Sequence, residues 1–145
     1  MDQDDHESPA GPLAPQEIDR LMALDAQTRA EWTLEDCARY EQAWGLADAK
    51  GWVVFKLDGA PEGRSPWALP LWPRQELAAL ASRSADEVPR RLDLEALLEA
   101  LLPEVGERGW QVLVCPVQDQ GFSEGAPEFR ARLAEAWSEL NEEES

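Results

Sequence analysis

Trp67 and Trp72 bracket the run Trp67-Ala68-Leu69-Pro70-Leu71-Trp72, with Asp58, Glu62 and Arg64 shortly before it and Arg74 just after. An indole face beside a guanidinium suits contact with a peptide or a sugar. Carboxylates such as Asp58 and Glu62 near that ring would add acceptors. Held on either side of a glycosidic bond, such a pair could also hydrolyse it. The competing reading is structural, because a ring covered by a helix serves packing alone. Strand alternation sends Trp67 and Trp72 to opposite faces, which leaves room for one of them to stand exposed. These six residues form the candidate interaction site.

Most other chemistries lack their parts. The single histidine, His6, falls in an acidic, Pro-bearing N-terminal stretch, so a histidine base held in the core is excluded. Cys37 and Cys115 stand far apart in sequence and cannot supply a zinc site of the Cys/His type. They read as reduced, buried thiols rather than a disulfide framework. No Gly-rich phosphate loop followed by lysine occurs, since the two lysines are Lys50 and Lys56, and no Gly-x-Ser-x-Gly elbow is present. No catalytic, cofactor-binding or metal-binding set is assigned, no cofactor is expected, and the reading is of a protein that is not an enzyme.

Thirteen basic residues face thirty acidic ones, a formal net charge of -17. The excess concentrates at the ends: Asp2, Asp4, Asp5 and Glu7 at one, and Glu135, Glu139, Glu142, Glu143 and Glu144 at the other. Such a field repels nucleic-acid phosphate and anionic lipid and speeds encounter with a basic partner. A basic protein is therefore the expected partner, with no direct nucleic-acid contact and no membrane contact. No apolar run approaches the roughly 20 residues that span a bilayer, and a signal peptide is not evident, so a cytoplasmic location is expected. Oligomeric state is left open.

A length of 145 residues suits one domain. The expected organisation is a disordered acidic tail over 1–14, a single domain over 15–140 and an acidic tail over 141–145. Pro15 opens a first helix bearing Ile18, Leu21, Met22 and Leu24. A second runs from about Thr33 or slightly earlier to Tyr40, with Thr33 and Asp36 resembling a capping box. The stretch from Trp44 to Trp72 reads as a three-stranded sheet: a modest strand at 42–47, a turn at Asp48-Ala49-Lys50-Gly51, a strong strand at 52–57 and a third at 67–72. Pro70 predicts an edge or bulged position. Pro73 ends that strand and starts a helix carrying Leu77 and Leu80.

Ser82 to Arg91, polar and broken by Pro89, reads as a loop with a short extended piece. Asp93 is the expected cap of a helix whose Leu94, Leu97, Leu98, Leu101 and Leu102 share one face, ended by Gly106 and Gly109. Trp110 to Pro116 predicts an inner strand. A Gly121 to Gly125 loop leads to a last helix from Pro127 with Phe129, Leu133, Ala136, Trp137 and Leu140 on one side. Trp52 and Trp110 are expected in the core. The fold class is α+β, a mainly antiparallel sheet of about four strands with helices packed on it.

Trp44-Gly45-Leu46, Gly51-Trp52, Leu69-Pro70-Leu71-Trp72-Pro73, the Leu92–Leu102 helix and the Trp110–Pro116 strand resemble, in order and spacing, the bacterial family filed as domain of unknown function 2750. The resemblance covers roughly Ile18 to Leu140, with Leu-Pro-Leu-Trp-Pro as its most specific piece. In that family a His commonly follows the Trp-Pro pair where this chain has Arg74, and an aromatic is common at the Cys115 position. A role resting on that His does not transfer. The resemblance implies a small bacterial α+β domain and brings no activity with it.

The functional expectation is a non-enzymatic, acidic interaction module that binds a basic protein, in an immunity-like or regulatory role. The alternative is a small-ligand or carbohydrate-binding domain centred on Trp67 or Trp72, with carboxylate-based hydrolysis as its catalytic form.

Overall fold

Asp25 sets the start of the longest N-terminal helix, since its carboxylate accepts from the Thr28 N–H at 2.8 Å and the Thr28 hydroxyl at 3.0 Å. The computed structural model describes residues 13–57, 65–117 and 120–144. Helix α1 spans Pro15–Ala23 and α2 spans Ala26–Tyr40. The second helix thus begins well before Thr33. Thr33 is buried inside it and turns its hydroxyl onto the Arg29 carbonyl at 2.8 Å, where it cannot serve as a cap. Most of the expected 1–14 tail lies outside the described residues. Leu13, within it, is instead buried and donates its N–H to Glu76 at 2.6 Å.

The Asp25 cap carries a pH signature. Its carboxyl is held below its ordinary 3.8, chiefly by the Thr28 N–H and next by the Thr28 hydroxyl. A depressed folded value means that the cap's contribution is complete above the ordinary value and is lost as pH falls through the folded one. Melting curves of wild type and Asp25→Ala should therefore differ by a constant gap from neutral pH down to about pH 4, and the gap should close below that. A gap that opens only in acid would contradict the assignment.

The strands are β1 (Gln42–Asp48), β2 (Gly51–Trp52), β3 (Phe55–Lys56), β4 (Trp67–Leu71), β5 (Val88–Asp93), β6 (Gln111–Val117) and β7 (Gln120–Gly125). They form two sheets, ordered β2-β1-β5 and β3-β4-β6-β7; every pairing is antiparallel except β4 with β6. The protein is an α+β domain. The expected three-stranded sheet over Trp44–Trp72 is divided between these sheets, because the 52–57 segment breaks at Val53 and Val54 and passes from one to the other. What joins the sheets is a bridge between Trp44 and Trp72, whose backbones exchange two hydrogen bonds of 2.7 Å.

Pro70 and Pro89 sit where no ladder bond is lost. On β4 the pairing with β3 stops at Ala68 and the Trp44 bridge starts at Trp72, so Pro70 falls in the gap of a strand that is otherwise interior. On β1, Trp44 bonds to Trp72 and the Leu46 carbonyl accepts from Val53, so both face away from β5. Pro89, opposite Leu46, then points to the open side of the edge strand β5. A proline there blunts the edge and leaves the β1–β5 ladder intact. In the Ser82–Arg91 segment the loop accordingly ends at Glu87, and the expected short extended piece is the start of β5.

Helix α3 (Gln75–Ala81) packs on β1 and β5. After β5, α4 (Leu94–Ala96), a π-helical turn (Leu97–Leu101) and α5 (Leu102–Glu107) follow without a break. The wide turn precedes Pro103, which has no N–H and whose ring would crowd the Glu99 carbonyl in a regular helix. Leu94, Leu97, Leu98 and Leu102 are buried as expected, with Leu101 packed beside them. Asp93 occupies the cap position, but its carboxylate pairs with Arg91 at 2.7 Å instead of capping. The helix closes on Gly109, whose φ of 74° lets its own N–H reach Gly106 while Trp110 reaches back to Val105, each at 3.1 Å.

The Gly121–Gly125 segment is strand β7, not a loop. A Cβ on Gly121 would stand 3.0 Å from Pro116 Cα and the Val114 carbonyl, so glycine permits close approach at the irregularity between Val114 and Val117. Helix α6 (Ala126–Glu144) then lies along α2 and contacts β6 and β7, and its acidic end continues the helix past Leu140. Trp52 and Trp110, expected in the core, are only partly buried, and each lies under an arginine, Arg90 at 5.1 Å and Arg108 at 5.0 Å. The indoles of the central core are Trp44 and Trp72.

Candidate functional site

Of the six residues singled out from sequence, the structure describes Trp67, Trp72 and Arg74. Asp58, Glu62 and Arg64 lie outside the described residues. Trp67, at the start of β4, is 42% exposed, whereas Trp72 is 1% exposed. Trp72 is tied down at three points. Its indole N–H donates to the Pro116 carbonyl at 3.2 Å, its ring meets Phe55 edge-on at 6.3 Å, and its backbone forms the bridge to Trp44.

Arg74 is buried as well. Nε and Nη2 grip both oxygens of Asp36 on α2, at 2.7 and 3.1 Å, and the guanidinium lies 5.1 Å from the Tyr40 ring centre. Burial by itself would lower its pKa, but the Asp36 bonds prevail and raise it above the ordinary value, so the charge is permanent. Between them the Pro73 carbonyl accepts from Gln42 at 3.4 Å. Trp72-Pro73-Arg74 is thus a clamp joining β4 to β1, β6 and α2.

Trp72 does form part of the wall of a cavity of about 430 Å³. Leu21 and Met22 of α1, Phe55 of β3, Leu77 and Leu80 of α3 and Val117 of β6 supply most of its apolar surface. At its mouth Met22 is 39% and Leu80 60% exposed. Its charges are Arg29 and Arg83, and no acid lines it among the described residues. Arg29 is tied into the scaffold through the carbonyls of Cys115 at 2.8 Å and Leu24 at 2.7 Å. The first of these holds Cys115 at φ 45° in the irregular part of β6. Burial raises the Cys115 thiol to about 11 and pushes Cys37 well above its ordinary range, so neither is a thiolate near neutral pH.

A second concavity, about 370 Å³, runs between α2 and α6. Leu34, Ala136 and Leu140 give it an apolar floor, and Glu31, Glu35 and Glu139 edge it. Its arginines are already engaged: Arg39 with Glu35 at 3.3 Å and Arg132 with Glu124 at 2.8 Å. Among the described residues Glu31 and Glu139 have no basic partner. Among the described residues, Trp72 of the Leu-Pro-Leu-Trp-Pro run is the one sequence-selected site residue that lines the first concavity, and no motif marked the second. The available signals were weaker: an exposed leucine on a seven-residue helix for the first, and glutamates recurring beside the apolar faces of two helices for the second.

Among the described residues no group of three His, Cys, Asp or Glu side chains is placed to hold a metal ion, and no helix is long and apolar enough to cross a membrane. Fold and site together define a small α+β domain that carries an apolar cavity and an acid-edged cleft. Over residues 30–133 the chain matches the family described as Protein of unknown function (DUF2750), and it belongs to that family. No curated protein and no solved structure matches it.

Proposed function

We propose that this protein is a non-enzymatic, cytoplasmic interaction module that receives a basic segment of a partner protein in the cleft between α2 and α6. The observation that carries the reading is the cleft's makeup, an apolar floor edged by glutamates whose neighbouring arginines are already neutralised. A partner helix with one apolar stripe flanked by Lys or Arg would bury the stripe and pair with Glu31 and Glu139. The charge of -17 would speed that encounter, and salt would slow it. Neutralising a basic toxin, or regulating a basic protein, is the role such complementarity suits.

Capture from the host lysate tests this with wild type and Glu31→Lys/Glu139→Lys as paired baits. The expected result is a basic protein held by wild type at low salt, released at high salt and missing from the variant. Identical capture by both baits, or nothing basic on wild type, would end the reading.

A small-ligand role is the second reading, and the cavity beside Trp72 favours it. The apolar wall suits an apolar ligand better than a sugar, which needs a ring platform fringed by hydrogen-bonding groups. Carboxylate-based hydrolysis gains no support from the cavity, whose described lining holds no carboxylate.

A further inference from the structure

We infer that the cavity between α1, α3 and the β3 and β6 strands takes an amphiphile with an apolar chain and one carboxylate, the carboxylate seated on Arg83. This rests on the small-ligand reading of the cavity and adds the ligand's class. The chain carries thirty acids against thirteen bases, yet the described lining of this cavity holds two arginines and no acid. That local reversal of charge selects against a cation and in favour of an anion.

Arg83 is placed to meet the anion. Its guanidinium lies 4.3 Å from the centre of the Phe55 ring, which fixes it at the cavity wall while the side chain stays half exposed. Glu87 is the nearby acid: its Oε1 accepts from the Arg83 backbone N–H at 2.9 Å and forms only a long ion pair, 4.0 Å, with the guanidinium. Among the described residues the Arg83 guanidinium makes no hydrogen bond, so its planar fork of donors is open to a carboxylate. Below it the wall is apolar: Phe55, Trp72, Leu77 and Leu21 are buried. Above it, Met22 and Leu80 expose apolar surface that a chain running through the mouth would cover. The volume, about 430 Å³, is within the span of small-molecule sites.

Calorimetric titration of the full chain with decanoate, decan-1-ol and decylamine, each below the concentration at which it aggregates, separates the elements of this inference. Decanoate should bind one to one, at least about tenfold tighter than decanol. It should also shift the NMR resonance of the Trp72 indole N–H. Arg83→Gln should erase the preference for decanoate and leave decanol unchanged. Ala81→Trp, which fills the cavity from α3, should abolish both. If that variant fails to fold, Arg83→Gln still decides the ligand class and the Trp72 resonance still locates the site.

Equal binding of decanoate and decanol, or tightest binding of decylamine, would overturn the carboxylate assignment and leave the cavity reading standing. Binding that leaves the Trp72 resonance unmoved, or no binding by any of the three, would overturn the cavity reading too.

Discussion

Asp36→Asn is expected to lower the free energy of unfolding by about 3–5 kcal/mol, the range found when one partner of a buried ion pair is removed. Small domains have only about 5–15 kcal/mol to lose. The size follows from what is left behind. Arg74 is 7% exposed and keeps its charge, so without the Asp36 carboxylate a guanidinium stays in the interior with its strongest acceptor gone. Replacing both residues, Asp36→Leu with Arg74→Met, should cost less than either single change, because neither charge is then stranded. Urea unfolding of the three variants measures this. Single substitutions that cost below about 1 kcal/mol would show that the pair is not the clamp described.

Trp72→Ala should cost about 3–5 kcal/mol by leaving an unfilled space where the two sheets meet. Trp72 is 1% exposed and is packed by Phe55 and bridged to Trp44, so neighbouring elements cannot collapse into the gap without parting the sheets. Trp72→Phe keeps much of the apolar bulk and removes the N–H to Pro116; its expected cost is about 1–3 kcal/mol. The order of the two variants is the test. A phenylalanine as damaging as alanine would mean that the hydrogen bond, and not the filled space, holds the junction.

Where one local signal settled an element, sequence and structure agree. Pro15 starts α1, the spaced leucines from Leu94 form a buried helical face, and the Trp110–Pro116 run leads into an interior strand. Where turn-forming residues fall within strands, tertiary context accounts for them. Pro89 is harmless because it faces the open edge of β5, and Gly121 is needed because two backbones approach there. Neither fact can be read from a residue type alone. The tryptophans mislead for a related reason: β-propensity finds strands, but burial depends on which sheet a strand joins, and the 52–57 segment joins two.

The candidate site was less visible. Arg74 looked like a free cation beside an aromatic run, and its partner, Asp36, lies 38 positions earlier on a helix. The family motif around Leu69–Pro73 thus marks the junction of the fold. Arg83 lies in a polar stretch with no motif, and only the fold brings it over Phe55. The α2–α6 cleft joins Glu31 and Glu139, residues from opposite ends of the domain.

The claim that this cleft receives a basic segment can be tested at single-residue resolution with a photo-crosslinking amino acid in place of Leu140, which lines the cleft, and in a second protein in place of Val88, which is 52% exposed on β5. In host lysate at low salt, position 140 should crosslink to a basic protein and position 88 should not. The 140 adduct should disappear when Glu31 and Glu139 are also changed to Lys. Adducts to basic protein from position 88 alone, or from position 140 regardless of the two glutamates, would contradict it.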